Sequence, residues 1–291
     1  MRSRFLSVGT VSALALGLFA TPAAAPLPDA VDFAQAAAAM TAAGDPFAGW
    51  AAEGRRFLLF DPAGDGLAVE VLGDLSTADR VAVLVPGVGT TVADFDRGLG
   101  GVARRAPAVQ ARQLYAELRR QAPHARVAVV AWLGYDPPDG WGLDVVTESS
   151  AAAGAAALTR FVARLVRERP AVAITLVGHS YGSTVLGLAA SALPAQVGDL
   201  VAVGSPGMGY DHVRDLGTPA RVWAAEAPTD WIRRVPGVRV LGLGHGTRPG
   251  TAEFGARLLP TVGVSGHDGY LDTGSATLPA LAGVVLGTFV A

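Results

Sequence analysis

The chain contains no cysteine, no lysine and no asparagine. Without cysteine there is no disulfide framework and no lipid-modified cysteine anchor. All 23 basic residues are arginine, and 25 acidic residues bring the formal net charge to −2. That balance removes the electrostatic case for a nucleic-acid partner. The arginine-only usage reads as the codon bias of a GC-rich genome, so arginines are not counted as phosphate ligands. Charged residues are scarce at 16% and apolar residues plentiful at 51%, which excludes a disordered chain and fits a globular one. No H-E-x-x-H pattern and no tight histidine cluster occurs, so no metal is expected. No Gly-Lys-Ser/Thr follows a glycine-rich stretch, which argues against a phosphate-binding loop.

The longest apolar run lies at the start. Arg2 and Arg4 precede an apolar stretch from Phe5 to Ala20, and Ala23-Ala24-Ala25 offers small residues for cleavage. Residues 1–25 therefore read as a secretory signal peptide, cleaved after Ala25. An uncleaved anchor is disfavoured because the run is short of a full span and ends at Thr21-Pro22. No twin-arginine pair is present, so general secretion is the simpler route. The mature protein is expected to be secreted or held in the cell envelope, with no stable membrane span.

Residues 26–43 form an alanine-rich leader, expected to be helical from Val31 to Met40 and peripheral. Residues 44–291 read as one catalytic domain with about eight strands. A hairpin is expected at Arg56–Phe60 and Leu67–Leu72. Further strands are expected at Val81–Val85, Val127–Trp132, Val172–Val177, Leu200–Val203, Arg221–Ala225 and Val238–Leu241. Helical patterns run over Val102–Arg120, Val145–Arg169, Val185–Ala192 and Thr277–Gly287. Strands separated mostly by helices predict a parallel, doubly wound sheet with helices on both faces.

The strongest local signal is Ala173 to Thr184. A β-branched run stops at Gly178-His179-Ser180-Tyr181-Gly182, and an Ala/Leu-rich run follows. A strand, a sharp turn and a helix with serine at the apex form a nucleophile elbow. The turn crowds its neighbours, so the positions two before and two after the serine must be small, and both are glycine. The geometry pushes the Ser180 hydroxyl out at a helix N-terminus. An incidental serine in a glycine-rich turn is the bland alternative.

A serine hydroxyl needs a base, and the base needs a carboxylate that fixes its tautomer. After such an elbow, the acid and then the histidine follow along the chain. Of five histidines, His124 reads as solvated, His179 as pointing away from the site, and His212 as too early. His267, in Ser265-Gly266-His267-Asp268-Gly269-Tyr270 before the last helix, is the favoured base, and His245 remains its alternative. Asp230, after the seventh strand, is the favoured acid; Glu226 and then Asp211 follow. An aspartate there also suits a turn cap. The oxyanion hole is expected from the backbone N–H groups of Tyr181 and Val88, with Gly89 next after Val88. Trp132 and Tyr135 read either as pocket lining or as core.

Several stretches together resemble an actinobacterial α/β-hydrolase group known as domain-of-unknown-function family 1023. They are Asp61-Pro62-Ala63-Gly64, Gly73-Asp74-Leu75, Thr77-Ala78-Asp79, Val85 to Thr90, Gly178 to Gly182, Gly204-Ser205-Pro206-Gly207 and Ser265 to Tyr270. The resemblance spans Arg56 to Gly287. It implies an α/β-hydrolase fold with Ser180 as nucleophile and His267 as base, and it supplies no substrate. The expected activity is cofactor-free hydrolysis of a small or lipid-like carboxylic ester through an acyl-enzyme. The rival readings are a peptidase or amidase with the same triad, and a non-catalytic cell-envelope binding module.

Overall fold

The computed structural model describes residues 33–140, 148–237 and 244–290. The signal segment and the strand expected at 238–241 lie outside the described residues. Eight strands form one sheet: β1 (Arg56–Asp61), β2 (Leu67–Gly73), β3 (Arg80–Val85), β4 (Val127–Leu133), β5 (Ala173–His179), β6 (Val197–Val203), β7 (Arg221–Ala225) and β8 (Arg257–Leu258). Their order is β1-β2-β4-β3-β5-β6-β7-β8. Only β2 runs against its neighbours, pairing antiparallel with β1 and β4; the remaining pairs are parallel. This is the α/β-hydrolase arrangement.

Among the described residues, the helices are α1 (Phe33–Ala43), α2 (Phe47–Ala52), α3 (Pro107–Gln121), α4 (Ser149–Glu168), α5 (Gly182–Ala189) and α6 (Thr277–Leu286). The central strands are apolar at nearly every position because both faces are covered. Alternate side chains of β3 show this. Val81, Val83 and Val85 join Leu158 and Phe161 of α4 and Val185 of α5 in one core layer. Ala82 and Leu84 join Leu114 and Leu118 of α3 and Leu281 of α6 in the other. Both layers are nearly free of solvent, so truncating Leu114 to alanine costs about 2–5 kcal/mol. The alanine-rich α1 also belongs to the second layer, burying Ala36 and Met40 beside the edge strand β1.

Three departures from the sequence pattern have a physical reason. Helix α3 begins at Pro107, not at Val102. Proline lacks the N–H and clashes with the preceding turn, so it suits the first helical position and no interior one. Among the described residues α4 begins at Ser149, after Glu148, whose left-handed backbone with φ 57° no helix interior accepts; the expected start at Val145 lies outside the described residues. The edge strand β8 is two exposed residues, Arg257 and Leu258, and carries no alternation to betray it.

Strand order reverses between β3 and β5. From β3 the chain crosses by α3 to β4 on one side; from β5 it crosses by α5 to β6 on the other. Val85 pairs with Gly178, so the segments leaving these two strands start side by side. A crevice opens at such a reversal, outside the carboxyl ends of the strands.

Candidate active site

Ser180 sits at the tip of the β5–α5 turn with φ 53°, a left-handed conformation costly for a side-chain-bearing residue. The turn is held by close contact. A Cβ on Gly178 would come within 2.6 Å of Ser183 backbone, and one on Gly182 within 2.3 Å of the Val85 carbonyl. Both positions therefore exclude any side chain. The Ser180 N–H donates to the Val203 carbonyl at 2.9 Å, and Ser183 Oγ donates to the Ser180 carbonyl at 2.6 Å.

His267 Nε2 lies 2.9 Å from Ser180 Oγ. Its Nδ1 lies 2.9 and 3.0 Å from the two oxygens of Asp230. The Asp230 carboxylate also accepts from the Tyr270 hydroxyl at 2.6 Å and from the Ile232 N–H at 2.9 Å. Burial opposes ionisation of Asp230. The hydrogen bond and charge of His267, with the donors from Tyr270 and Ile232, outweigh it and hold the carboxyl below the ordinary carboxylate range. An ionised carboxylate only accepts, so the proton on Nδ1 belongs to the bond with Asp230. The Nε2 lone pair then faces the serine hydroxyl. Asp230 serves two ends at once, since its bond to Ile232 also caps the turn Trp231–Arg234. Tyr270 is held in place by accepting the Ala227 N–H at 3.0 Å.

The other acids and histidines lie elsewhere. Glu226 is engaged by Arg248 at 3.0 Å and Arg233 at 3.3 Å, and Asp211 accepts from Thr247. His245 is buried with Nδ1 3.7 Å from Glu148 Oε1, and its ring meets Tyr181 edge-on at 5.5 Å. His212 caps a short turn through Arg214 N–H, and His124 is exposed. His179 corrects the reading that it points away from the site. Its Nε2–H donates to the His267 carbonyl at 2.9 Å, and the two rings lie 4.9 Å apart. Burial and the adjacent His267 imidazole push its pKa down to about 4.

The segment after β3 passes close over the serine. A Cβ on Gly87 would lie 2.8 Å from Ser180 Cβ, so only glycine lets the backbone approach. The Gly89 N–H donates to the Pro138 carbonyl at 2.8 Å, which takes it out of contention as an oxyanion donor. Val88 lies on the same cleft as Ser180 and His267. Trp132 and Tyr135 are core: both are buried, stacked at 5.9 Å, with the tyrosine hydroxyl on the Pro86 carbonyl. The cleft has a volume of about 360 Å³, the size of a small-molecule site. Sequence reasoning missed part of its lining: Leu99, Arg105, Trp231 and Asp268. Leu99, Trp231 and Asp268 sit in irregular segments, and Arg105 lies in a short turn ahead of Pro107 where the sequence pattern suggested helix; only the sequence neighbours of His267 and Asp230 gave any signal.

A profile of the alpha/beta hydrolase family matches residues 61–240. An uncharacterized protein of Mycobacterium tuberculosis is 34% identical over 220 residues, covering 68% of this chain and 80% of that protein. The chain belongs to the alpha/beta hydrolase family. Among solved structures, an α/β serine hydrolase without lid from Xanthomonas campestris aligns over 80% of this chain and 93% of its own, at 16% identity and TM-score 0.45. A carboxylesterase from Mesorhizobium loti aligns over 79% of this chain and 98% of its own, at 16% identity and TM-score 0.43. At such identities the likeness concerns the fold alone.

Proposed function

We propose that this hydrolase cleaves carboxylic esters with Ser180 as nucleophile, His267 as general base and acid, and Asp230 as the orienting carboxylate. The observation that carries the reading is the unbroken line of contacts from Ser180 Oγ through both nitrogens of His267 to Asp230. Ser180 Oγ attacks the acyl carbon as His267 Nε2 takes its proton. The same proton passes to the leaving alkoxide, giving an alcohol and an acyl-serine. Water, deprotonated by His267, then attacks the acyl carbon and releases the acid. The backbone N–H groups of Tyr181 and Val88 are assigned to the developing oxyanion; each such donor contributes roughly 100- to 1,000-fold in kcat. No step requires a cofactor.

A fluorophosphonate probe should label the wild-type protein and not S180A. Equal labelling of both would remove Ser180 from the scheme. Short nitrophenyl esters should turn over faster than the matching anilides, and the reverse order would favour an amidase. The reading of residues 1–25 as a cleaved signal makes this an exported enzyme. N-terminal sequencing of the protein from culture medium should begin at Pro26.

A further inference from the structure

The cleft carries a cation that the proposed chemistry does not use. Arg105 is the one arginine among the described residues that line it. Its Nε donates to Asp268 Oδ2 at 2.8 Å, and Asp268 follows His267 directly in the chain. No other side-chain hydrogen bond of Arg105 forms among the described residues. Four other arginine–carboxylate pairs are gripped differently, whereas Arg97, Arg164 and Arg248 hold their carboxylates through Nε, as Arg105 does. Arg55 on Glu70, Arg221 on Asp199, Arg126 on Asp79 and Arg120 on Glu117 each use Nε and Nη2 together. Those four forks are closed on their partners. Arg105 is oriented by one bond, and both Nη groups remain available.

A guanidinium has five N–H donors in a fixed plane, and its fork matches a carboxylate. Asp268 occupies one donor of five. The Arg105 side chain is 39% exposed and lines the cleft, so an anion there can reach the rest. Beside it stand apolar groups: Leu99, 40% exposed, and Trp231, 37% exposed, both lining the same cleft. Trp231 also packs on the His267 ring at 4.5 Å, which places this apolar wall next to the reacting atoms. An apolar wall at the reacting serine and an open cationic fork in one small cleft describe a ligand with an apolar body and an anionic end.

We infer that the substrate is a small ester carrying a carboxylate away from the scissile bond, and that Arg105, held by Asp268, is the specificity-determining residue that receives it. The inference rests on the ester-hydrolase reading above. Arg105 contacts the substrate and not the acyl carbon, so it selects among esters without taking part in proton transfer.

The test compares monoethyl glutarate with ethyl pentanoate, which differ by a carboxylate against a methyl at one chain end. Wild-type enzyme should favour monoethyl glutarate in kcat/KM by about tenfold or more, the scale of one charge-assisted hydrogen bond. The preference should shrink as salt is raised from 10 to 500 mM, because a partly exposed charge is screened. R105Q should bring the ratio to near one, and R105K should keep part of it, since the charge stays and the fork is lost. Titration of monoethyl glutarate into S180A and into S180A/R105Q reads binding apart from chemistry, and the second should bind more weakly. A wild-type preference for ethyl pentanoate overturns the inference. So does an R105Q variant that slows both esters equally and keeps the ratio. Turnover of both esters without charge preference sinks the inference and leaves the hydrolase standing. Turnover of neither, with no probe labelling of Ser180, sinks both.

Discussion

Two imidazoles in this protein, His267 and His245, face carboxylates, and they differ in what lies on the other side of the ring. His267 has Asp230 at 2.9 Å on Nδ1 and the serine hydroxyl at 2.9 Å on Nε2. His245 has Glu148 at 3.7 Å from Nδ1, beyond hydrogen-bond reach, and presents its ring to the edge of Tyr181. The difference teaches that a histidine near an acid is not yet a base. It becomes one when both nitrogens have partners of opposite kind, a carboxylate that takes a proton's hydrogen bond and a hydroxyl that offers one. The His245 ring packs instead against Tyr181, the residue after the nucleophile.

The sharpest way to break the comparison is to delete each ring. H267A should lower kcat on a short ester by about 10⁴-fold or more, as loss of a serine hydrolase's base does. H245A should fall far less in kcat and show its effect in thermal unfolding, because it opens a cavity in a packed region. Equal losses in kcat would erase the distinction. Next in size is D230N, expected to cut kcat by about 10³- to 10⁴-fold with the fold intact, since an amide donor favours the wrong tautomer of His267. Far-ultraviolet circular dichroism beside steady-state kinetics checks it.

The third histidine sharpens the contrast through stability. His179 has a pKa of about 4 in the folded protein, against about 6.5 in an unfolded chain. Between these values the unfolded state binds the extra proton. Stability is therefore full above pH 6.5 and falls as pH drops toward 4, by about 3 kcal/mol at most. H179Q keeps an N–H to donate to the His267 carbonyl and cannot titrate. Its melting temperature should change less between pH 6.5 and 4.5 than that of the wild type. Parallel curves would show that His179 is not the group responsible.

The elbow was readable because it is local. Gly178, Ser180 and Gly182 lie within five consecutive residues, and the stretch that holds the proposed nucleophile also dictates the turn. The alternating strands were readable for the same reason, since burial on both faces leaves an unbroken apolar run. The irregular segments were not. Nothing in the sequence says that Arg105 would meet Asp268, 163 positions away, or that Gly89 would give its N–H to Pro138. The sequence favoured Asp230 over Glu226 by position alone, and since both follow the same strand only their contacts separate them. Two arginines, Arg233 and Arg248, engage Glu226 and leave the histidine to its neighbour.

The sequence by itself determined the parallel sheet, the helices that cover it and the serine at the strand end, because backbone preference and burial act over a few adjacent residues. The sequence could only rank the imidazoles and carboxylates; the tertiary structure brought His267 and Asp230 into one line with Ser180 and decided what walls the cleft. Those contacts join segments far apart in the chain. Their geometry depends on how long irregular connections pack, which no short pattern encodes.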